Sequence, residues 1–170
     1  GLAIHSICAM LAPINTRMAC HEAASVLEKS GARVLFCAGK FLGAHYPTLL
    51  AEHWPKTLAH VIVMRDEQAG DRGWQDFMAH ADQSHTEAVM ARAAAVRPDD
   101  RMDILFTSGT TGLPKGVVTT HHLIRLCSVV GANAGGLVPE DQYLFANPFF
   151  HSFGYKVGWL GGLLSGCTVR

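Results

Sequence analysis

The residues from Phe106 to Gly116, Phe-Thr-Ser-Gly-Thr-Thr-Gly-Leu-Pro-Lys-Gly, concentrate more chemistry than any other stretch of the chain. Hydroxyls at Thr107, Ser108, Thr110 and Thr111, glycines at Gly109 and Gly112, and one ammonium at Lys115 lie within a few residues of one another. Glycine lets the backbone approach an anion closely and turn through positive φ. Its exposed N–H groups, with the hydroxyls, can donate hydrogen bonds to phosphate oxygens, and the lysine sets a point charge against a polyphosphate. This is not the Walker A loop, G-x-x-x-x-G-K-S/T. Counted from Gly109, position 114 is proline where glycine is required, and Gly116 rather than a hydroxyl residue follows the lysine. No helix starts directly after the loop, so no helix dipole of the Walker kind is expected, and hydroxyls and lysine carry the binding. Ser, Thr and Gly also gather in ordinary polar turns. The ordered run ending in Pro-Lys-Gly sets this stretch apart from them.

The elements that must position this loop alternate between strand and helix. Ala9–Asn15 reads as a short buried strand, and Thr16 as the cap of a helix to about Ser30 with Ala19, Ala23, Val26, Leu27 and Ser30 on one face. Gly31 supplies its stop. Strands are predicted at Arg33–Cys37 and His60–Met64, with a weaker helix near Tyr46–Trp54 between them. Asp66–Gly73 is a polar surface loop, and Trp74–Val96 is Ala-rich and helical in two pieces. Met102–Phe106 leads into the phosphate loop as a strand and Val117–Thr119 leaves it as another. A helix capped by Thr120 runs from His121 to Ala134 with Leu123, Leu126, Cys127, Val130 and Ala134 as its apolar face, ended by Gly135-Gly136. Gln142–Ala146 is a strand, Phe153–Ser165 a glycine-rich helix, and the chain stops at Cys167–Arg170 within a further strand. The alternation implies an α/β layered fold with a mainly parallel sheet and flanking helices.

Composition narrows the function classes. The 170 residues hold 14 basic and 14 acidic side chains, a formal net charge of zero, which removes the basic footprint of a nucleic-acid binder. Charged residues make up 16% and hydrophobic ones 49%, against roughly 25% charged in an ordinary soluble domain; part of the surface is therefore expected to be covered by more protein. Disorder is excluded by the same numbers. No apolar run reaches the ~18–20 residues that cross a bilayer, and the N-terminus has neither the basic region nor the cleavage site of a signal peptide. The five cysteines (Cys8, Cys20, Cys37, Cys127, Cys167) are unpaired in spacing, which fits buried thiols in a reducing cytoplasm rather than disulfides or zinc. Among the histidines only His121-His122 are adjacent, about 100° apart on a helix and unsuited to joint ligation of a metal. Gly1 in place of a methionine, and a last residue inside a strand, read as cut ends; the expectation is an internal piece of a longer protein.

The loop resembles the phosphate loop of the adenylate-forming enzymes, a family of acyl-CoA synthetases, luciferases and peptide-synthetase adenylation domains, at essentially every position from Thr107 to Gly116. Pro13-Ile14-Asn15-Thr16-Arg17 and Leu27–Leu35 are similar to the stretch upstream of it. Asn147-Pro148-Phe149-Phe150-His151-Ser152-Phe153-Gly154 is similar to the next family motif, at the rim of the acyl pocket. The resemblance covers almost the whole chain, least between Tyr46 and Val96. It implies that residues 1–170 are an incomplete piece of the large N-terminal domain, with the phosphate loop at 106–117 and the C-terminal domain absent. It further implies an acid–thiol ligase in which ATP and a small-molecule carboxylic acid give an acyl-adenylate and pyrophosphate, and the acyl group then passes to CoA. Residue by residue it places Thr107, Ser108, Gly109, Thr110, Thr111, Gly112 and Lys115 around the phosphates, Thr107 also toward Mg2+, and His151, Phe153 and Gly154 at the acyl pocket. The family's adenine- and metal-binding Tyr-x-x-Thr-Glu segment, its ribose-binding Asp, its hinge and its catalytic C-terminal lysine are not among these residues. The piece alone is expected to be inactive and to need the remainder of its own chain.

One residue discriminates between branches. Amino-acid-activating relatives carry Phe-Asp where this chain has Phe150-His151, and an imidazole cannot pair with an α-ammonium group as that carboxylate does. The string Asn147–Lys156 is most similar to bacterial-type fatty acyl-CoA synthetases, including a subgroup acting on propionate side chains of steroid rings. The alternatives are a non-catalytic nucleotide-binding module and an adenylation domain for another acyl acceptor.

Overall fold

The computed structural model describes residues 1–170 except Leu42, Glu67, Gln68, Gly70, Asp71 and residues 108–113. The chain divides into two compact units. One comprises Gly1–Pro13, Arg92–Leu105 and Val117–Arg170, the other Ile14–Ala91 and Phe106–Gly116.

The second unit is built on a parallel pair, β1 (Val34–Ala38) and β4 (His60–Met64), in register from Val34 opposite His60 to Ala38 opposite Met64. Parallel strands need a crossover, and here it contains a small antiparallel pair, β2 (Lys40–Phe41) with β3 (Ala44–His45), and the helix α3 (Tyr46–Ala51). α2 (Cys20–Ser30) covers the pair through Ala24 and Leu27, which pack with Leu50, Leu58, Val61 and Val63 into one core. α2 starts later than the predicted cap at Thr16. Glu22 reaches back to the Ala19 N–H at 3.0 Å, so that carboxylate sets the start of the helix, while Thr16 lies in the turn before it. Gly31 ends the helix at φ 67°, the left-handed conformation glycine adopts without strain. The Ala-rich stretch does form two helices, α4 (Trp74–Ala79) and α5 (Thr86–Ala95), joined through a 3-10 turn at Gln83–His85. The five cysteines are all free, but the expectation of buried thiols holds only for Cys167: Cys20 and Cys37 are partly buried, burial pushing the Cys37 thiol up to about 11, and Cys8 and Cys127 are exposed.

β5 (Arg101–Thr107) and β6 (Lys115–Thr120) are hydrogen-bonded to each other. The predicted strand at Ala9–Asn15 is reduced to one parallel bridge, Leu11 with Asp103, made by the Leu11 N–H to Met102 and the Ile104 N–H to Leu11. α1 (Leu2–Ser6) precedes it. α6 (His121–Ala134) has the predicted bounds, and the Thr120 hydroxyl accepts the Leu123 N–H at 3.3 Å as its cap. Its buried face is the reverse of the expected one. Ile124, Ser128 and Ala132 are buried, whereas Leu123, Leu126 and Val130 are 43%, 49% and 56% exposed. Small residues on that face let the next helix come close: a Cβ at Gly131 would lie 2.7 Å from Val157, and one at Gly161 3.3 Å from the Ser128 carbonyl.

That next helix is a π-helix over Phe153–Leu160, followed by α7 (Gly161–Ser165), where one regular helix was predicted. β7 (Gln142–Tyr143) is shorter than expected and pairs in parallel with β8 (Thr168–Val169). Met102, Ile124, Tyr155 and Leu160 form the core, with Leu11 and Trp159 against it. Burying a side chain such as Ile124 contributes about 1.5–3 kcal/mol.

The buried His5 of α1 shares a hydrogen bond with the Tyr155 hydroxyl and lies edge-on to His121, ring centroids 6.1 Å apart. Burial, then the neighbouring His121, lowers its pKa from 6.5 to about 4. An unfolded chain therefore takes up a proton between these values and the folded chain does not. Stability should be full above pH 6.5 and fall as the pH drops toward 4, by up to about 3 kcal/mol from this residue. Denaturant melts between pH 7 and 4.5 check this: His5→Gln should flatten the slope, whatever its effect at pH 7.

Candidate functional site

Two regions carry the predicted site residues, one in each unit. Ser108, Gly109, Thr110, Thr111 and Gly112 lie outside the described residues. The ends of their loop do not. Thr107 is the last residue of β5 and Lys115 the first of β6, and the Thr107 hydroxyl donates to the Lys115 carbonyl at 3.4 Å. The strands thus bring Thr107 and Lys115 together and fix the backbone where the loop leaves and returns. Both side chains are exposed. Lys115 stands on a strand terminus rather than within the loop proper, so its ammonium projects from an anchored Cα.

A second ammonium, which sequence reasoning missed, serves the same place. Lys29 of α2 donates to the Pro114 carbonyl at 3.4 Å. It therefore ties the loop's return to a helix and sets positive charge beside it. The signal available in the sequence was only a lysine in the last turn of α2, where it also suits the helix dipole.

In the other unit, Asn147–Gly154 folds back on itself. A Cβ on Gly154 would sit 2.4 Å from the Asn147 carbonyl oxygen and 2.5 Å from that of Pro148. The motif's last residue is therefore pressed onto the backbone of its first two, and only glycine fits. The His151 N–H donates to the Pro148 carbonyl at 3.0 Å, and the Tyr155 N–H to His151 at 3.0 Å. The Phe153 N–H points at His151 Nδ1 at 3.4 Å. With Nδ1 accepting, the neutral ring carries its proton on Nε2, leaving that N–H free to donate. His151 and Phe153 are exposed, and Gly154 is buried. Phe149 stacks edge-on against both Phe145 and Trp159, centroids 5.8 and 5.7 Å away, which ties the motif into an aromatic cluster.

Below the loop strands lies a buried polar group that the sequence did not disclose. Asp103 of β5 accepts from the Thr119 hydroxyl of β6, and the Lys156 ammonium of the π-helix lies 3.6 Å from its other oxygen. Burial pushes the Asp103 carboxyl up, opposed by that hydroxyl and by Lys156. The Tyr155 phenol is also pushed up, first by burial and then by Asp103, and so stays protonated. Among the described residues no cluster of three or more His, Cys, Asp or Glu could hold a metal ion.

The family model described as AMP-binding enzyme matches residues 2–170. The chain is 46% identical over 168 residues to a methyl-dioxo-octahydro-indenyl-propanoyl:CoA ligase of Mycobacterium tuberculosis, covering 99% of this chain and 33% of that protein. It is 35% identical over 153 residues to crotonobetaine/carnitine–CoA ligase of Escherichia coli, covering 89% and 28%. Among solved structures, an anthranilate CoA ligase in complex with anthranoyl-AMP superposes with a TM-score of 0.78 at 26% identity, over 95% of this chain and 30% of that one. A red-emitting luciferase from Phrixothrix hirtus, at 23% identity and TM-score 0.75, covers 98% and 32% and shares the fold. The chain spans about a third of the length of the curated relatives it matches.

The closed geometry at Gly154 gives a direct expectation. Gly154→Ala forces a methyl into two backbone carbonyls, which cannot move aside as a flexible side chain would. Overpacking of this kind costs about 1–3 kcal/mol. The check is a melt of the variant beside Gly162→Ala, whose Cβ would meet the Val169 side chain at 2.5 Å; the Gly154 variant should be the less stable.

Proposed function

The chain belongs to the AMP-binding enzyme family, and from that membership we propose that the whole protein is an ATP-dependent carboxylate–CoA ligase. The observation that supports this most is the pair Thr107 and Lys115, held by β5 and β6 at the two ends of a hydroxyl- and glycine-rich loop, in a chain 46% identical to a CoA ligase.

In the proposed reaction an oxygen of the acid's carboxylate attacks the α-phosphorus of ATP. The bond to the β-phosphate oxygen breaks, and pyrophosphate leaves with its electron pair. The thiol of CoA then adds to the acyl carbonyl, loses its proton, and AMP departs. The obstacle in the first step is bringing an anion to a polyanion, so charge neutralisation and positioning dominate. Hydroxyls of Thr107, Ser108, Thr110 and Thr111 and backbone N–H groups at Gly109 and Gly112 hold the phosphates. Lys115 supplies the nearest cation, with Lys29 behind it. Mg2+ fits this arrangement as a phosphate-bound ion rather than one in a protein cage. The exposed Thr107 oxygen is a suitable hard ligand, and the described residues offer no cluster of metal ligands. When bound, the ion would neutralise phosphate charge.

The acid is an amine-free one in this reading. His151 stands where amino-acid-activating relatives are expected to carry a carboxylate, and an ammonium group brought there would lose its water without gaining a counter-charge. Phe149 and Phe153, both half exposed, offer an apolar or ring-bearing body aromatic surface. The ring-bearing propanoyl group in the name of the Mycobacterium tuberculosis relative supports the same class. The reading is of a cytoplasmic enzyme acting on small molecules, in line with the acids and CoA named for its relatives.

Two measurements test this. A panel of amine-free carboxylic acids and α-amino acids, read by pyrophosphate release and thioester formation, should favour the former; preference for amino acids, or no acyl-CoA from any amine-free acid, refutes the assignment. Lys115→Ala in the full-length enzyme should fold normally, because the side chain is exposed, and lose a charge-assisted contact of roughly 1.5–3 kcal/mol. The adenylation rate should fall by about ten- to a hundred-fold, as followed by ATP–pyrophosphate exchange.

A further inference from the structure

Lys156 has no place in the chemistry proposed above, yet it is buried at 6% exposure against Asp103 at 0% and Thr119 at 7%. Its Nζ lies 3.6 Å from Asp103 Oδ2 and donates to Thr119 Oγ1 at 3.1 Å. The Thr119 hydroxyl donates in turn to Asp103 Oδ1, closing a ring of three side chains from three elements. Asp103 Oδ2 accepts no hydrogen bond among the described residues, so the ammonium is the charge that answers it. The spacing along the chain is telling. Asp103 lies four residues before Thr107, Thr119 four residues after Lys115, and Lys156 five residues after His151.

A buried ion pair is not a stabiliser by default, because desolvation of two charges offsets their attraction and apolar side chains of similar volume often replace it without loss. What apolar side chains do not reproduce is direction. The helix carrying Lys156 has unusual need of it. It is a π-helix, a form found most often at functional sites, and its close contacts are made through glycines. Gly131 faces Val157, Gly158 faces Phe145, and Gly161 faces the Ser128 carbonyl. These contacts bring the helix close to its neighbours, and the Lys156–Asp103–Thr119 ring adds a directional tie from the helix to both strands.

We propose that Lys156 is a positioning residue: through Asp103 and Thr119 it holds the helix that follows the His151 motif in register with the strands that enter and leave the phosphate loop, and adenylation depends on that register. The proposal rests on the ligase reading above. In the full-length enzyme, Lys156→Met should lose stability and ATP–pyrophosphate exchange together. The double variant Asp103→Leu with Lys156→Met separates the two. Its unfolding temperature should return to within a few degrees of wild type, while kcat for acid-dependent exchange stays about ten-fold or more below it, with little change in the KM for ATP. A rate restored along with the stability overturns the proposal. Amide exchange at Arg101–Thr107, Lys115–Thr120 and Phe153–Leu160 is read on the same protein without substrate, and should be faster by about ten-fold despite equal global stability. Unchanged protection there also overturns it. If the wild-type enzyme makes no acyl-adenylate from any acid, the ligase reading fails, and amide exchange alone then decides whether Lys156 sets the register. Should the double variant not fold, Asp103→Asn with Lys156→Met, which keeps the shape of the carboxyl group and removes both charges, takes its place with the same outcomes.

Discussion

A carboxylate shielded from all solvent has to be answered within the fold, and Asp103 is that group here. An unanswered charge in a low-dielectric interior is among the costliest defects a protein can carry. Thr119 and Lys156 answer it from two different elements, and the backbone of Asp103 bridges to Leu11 from a third. β5, β6, the π-helix and the N-terminal segment therefore meet at one residue. Their arrangement is constrained by where a hydroxyl and an ammonium can reach. Tyr155, adjacent to Lys156, carries the constraint outward to His5 of α1.

Around that polar centre the packing runs on small side chains. Ser128 and Ala132 on α6 and Gly158 and Gly161 beyond it let helix and backbone approach closely, and Gly154 lets the His151 motif close on its own first residues. Close approach makes dispersion contacts dense, with Val157 seated at Gly131 and Phe145 at Gly158. The fold supplies direction through polar contacts instead. The apolar stripe of α6, Leu123, Leu126 and Val130, stays about half exposed, a larger exposed apolar surface than isolated side chains would make.

The phosphate loop shows the same division of labour. At the ends of the run Thr107–Lys115, the Thr107 hydroxyl donates to the Lys115 carbonyl and Lys29 donates to the Pro114 carbonyl, so strand and helix contacts fix where the chain leaves β5 and enters β6.

What was legible in the sequence was local. Thr120 followed by an apolar run marked α6 to the residue, the apolar run His60–Met64 marked β4, and Gly31 marked the end of α2. These signals rest on hydrogen bonds and φ angles set within a few residues of the chain. Tertiary structure decided the rest. It buried Ile124, Ser128 and Ala132 in place of the more hydrophobic face of α6, because close helix contact favours small residues where greasiness alone would choose leucine. It gave α2 its start through Glu22 rather than Thr16, and it turned the expected regular helix after Ser152 into a π-helix with Tyr155 and Lys156 both facing inward. Asp103 and Thr119 carry no motif, Lys156 only closes the Asn147–Lys156 string, and nothing in their spacing of sixteen and thirty-seven residues links the three. Only the folding of three elements onto one desolvated carboxylate makes them a unit, since the energy that couples them exists only once water has been removed.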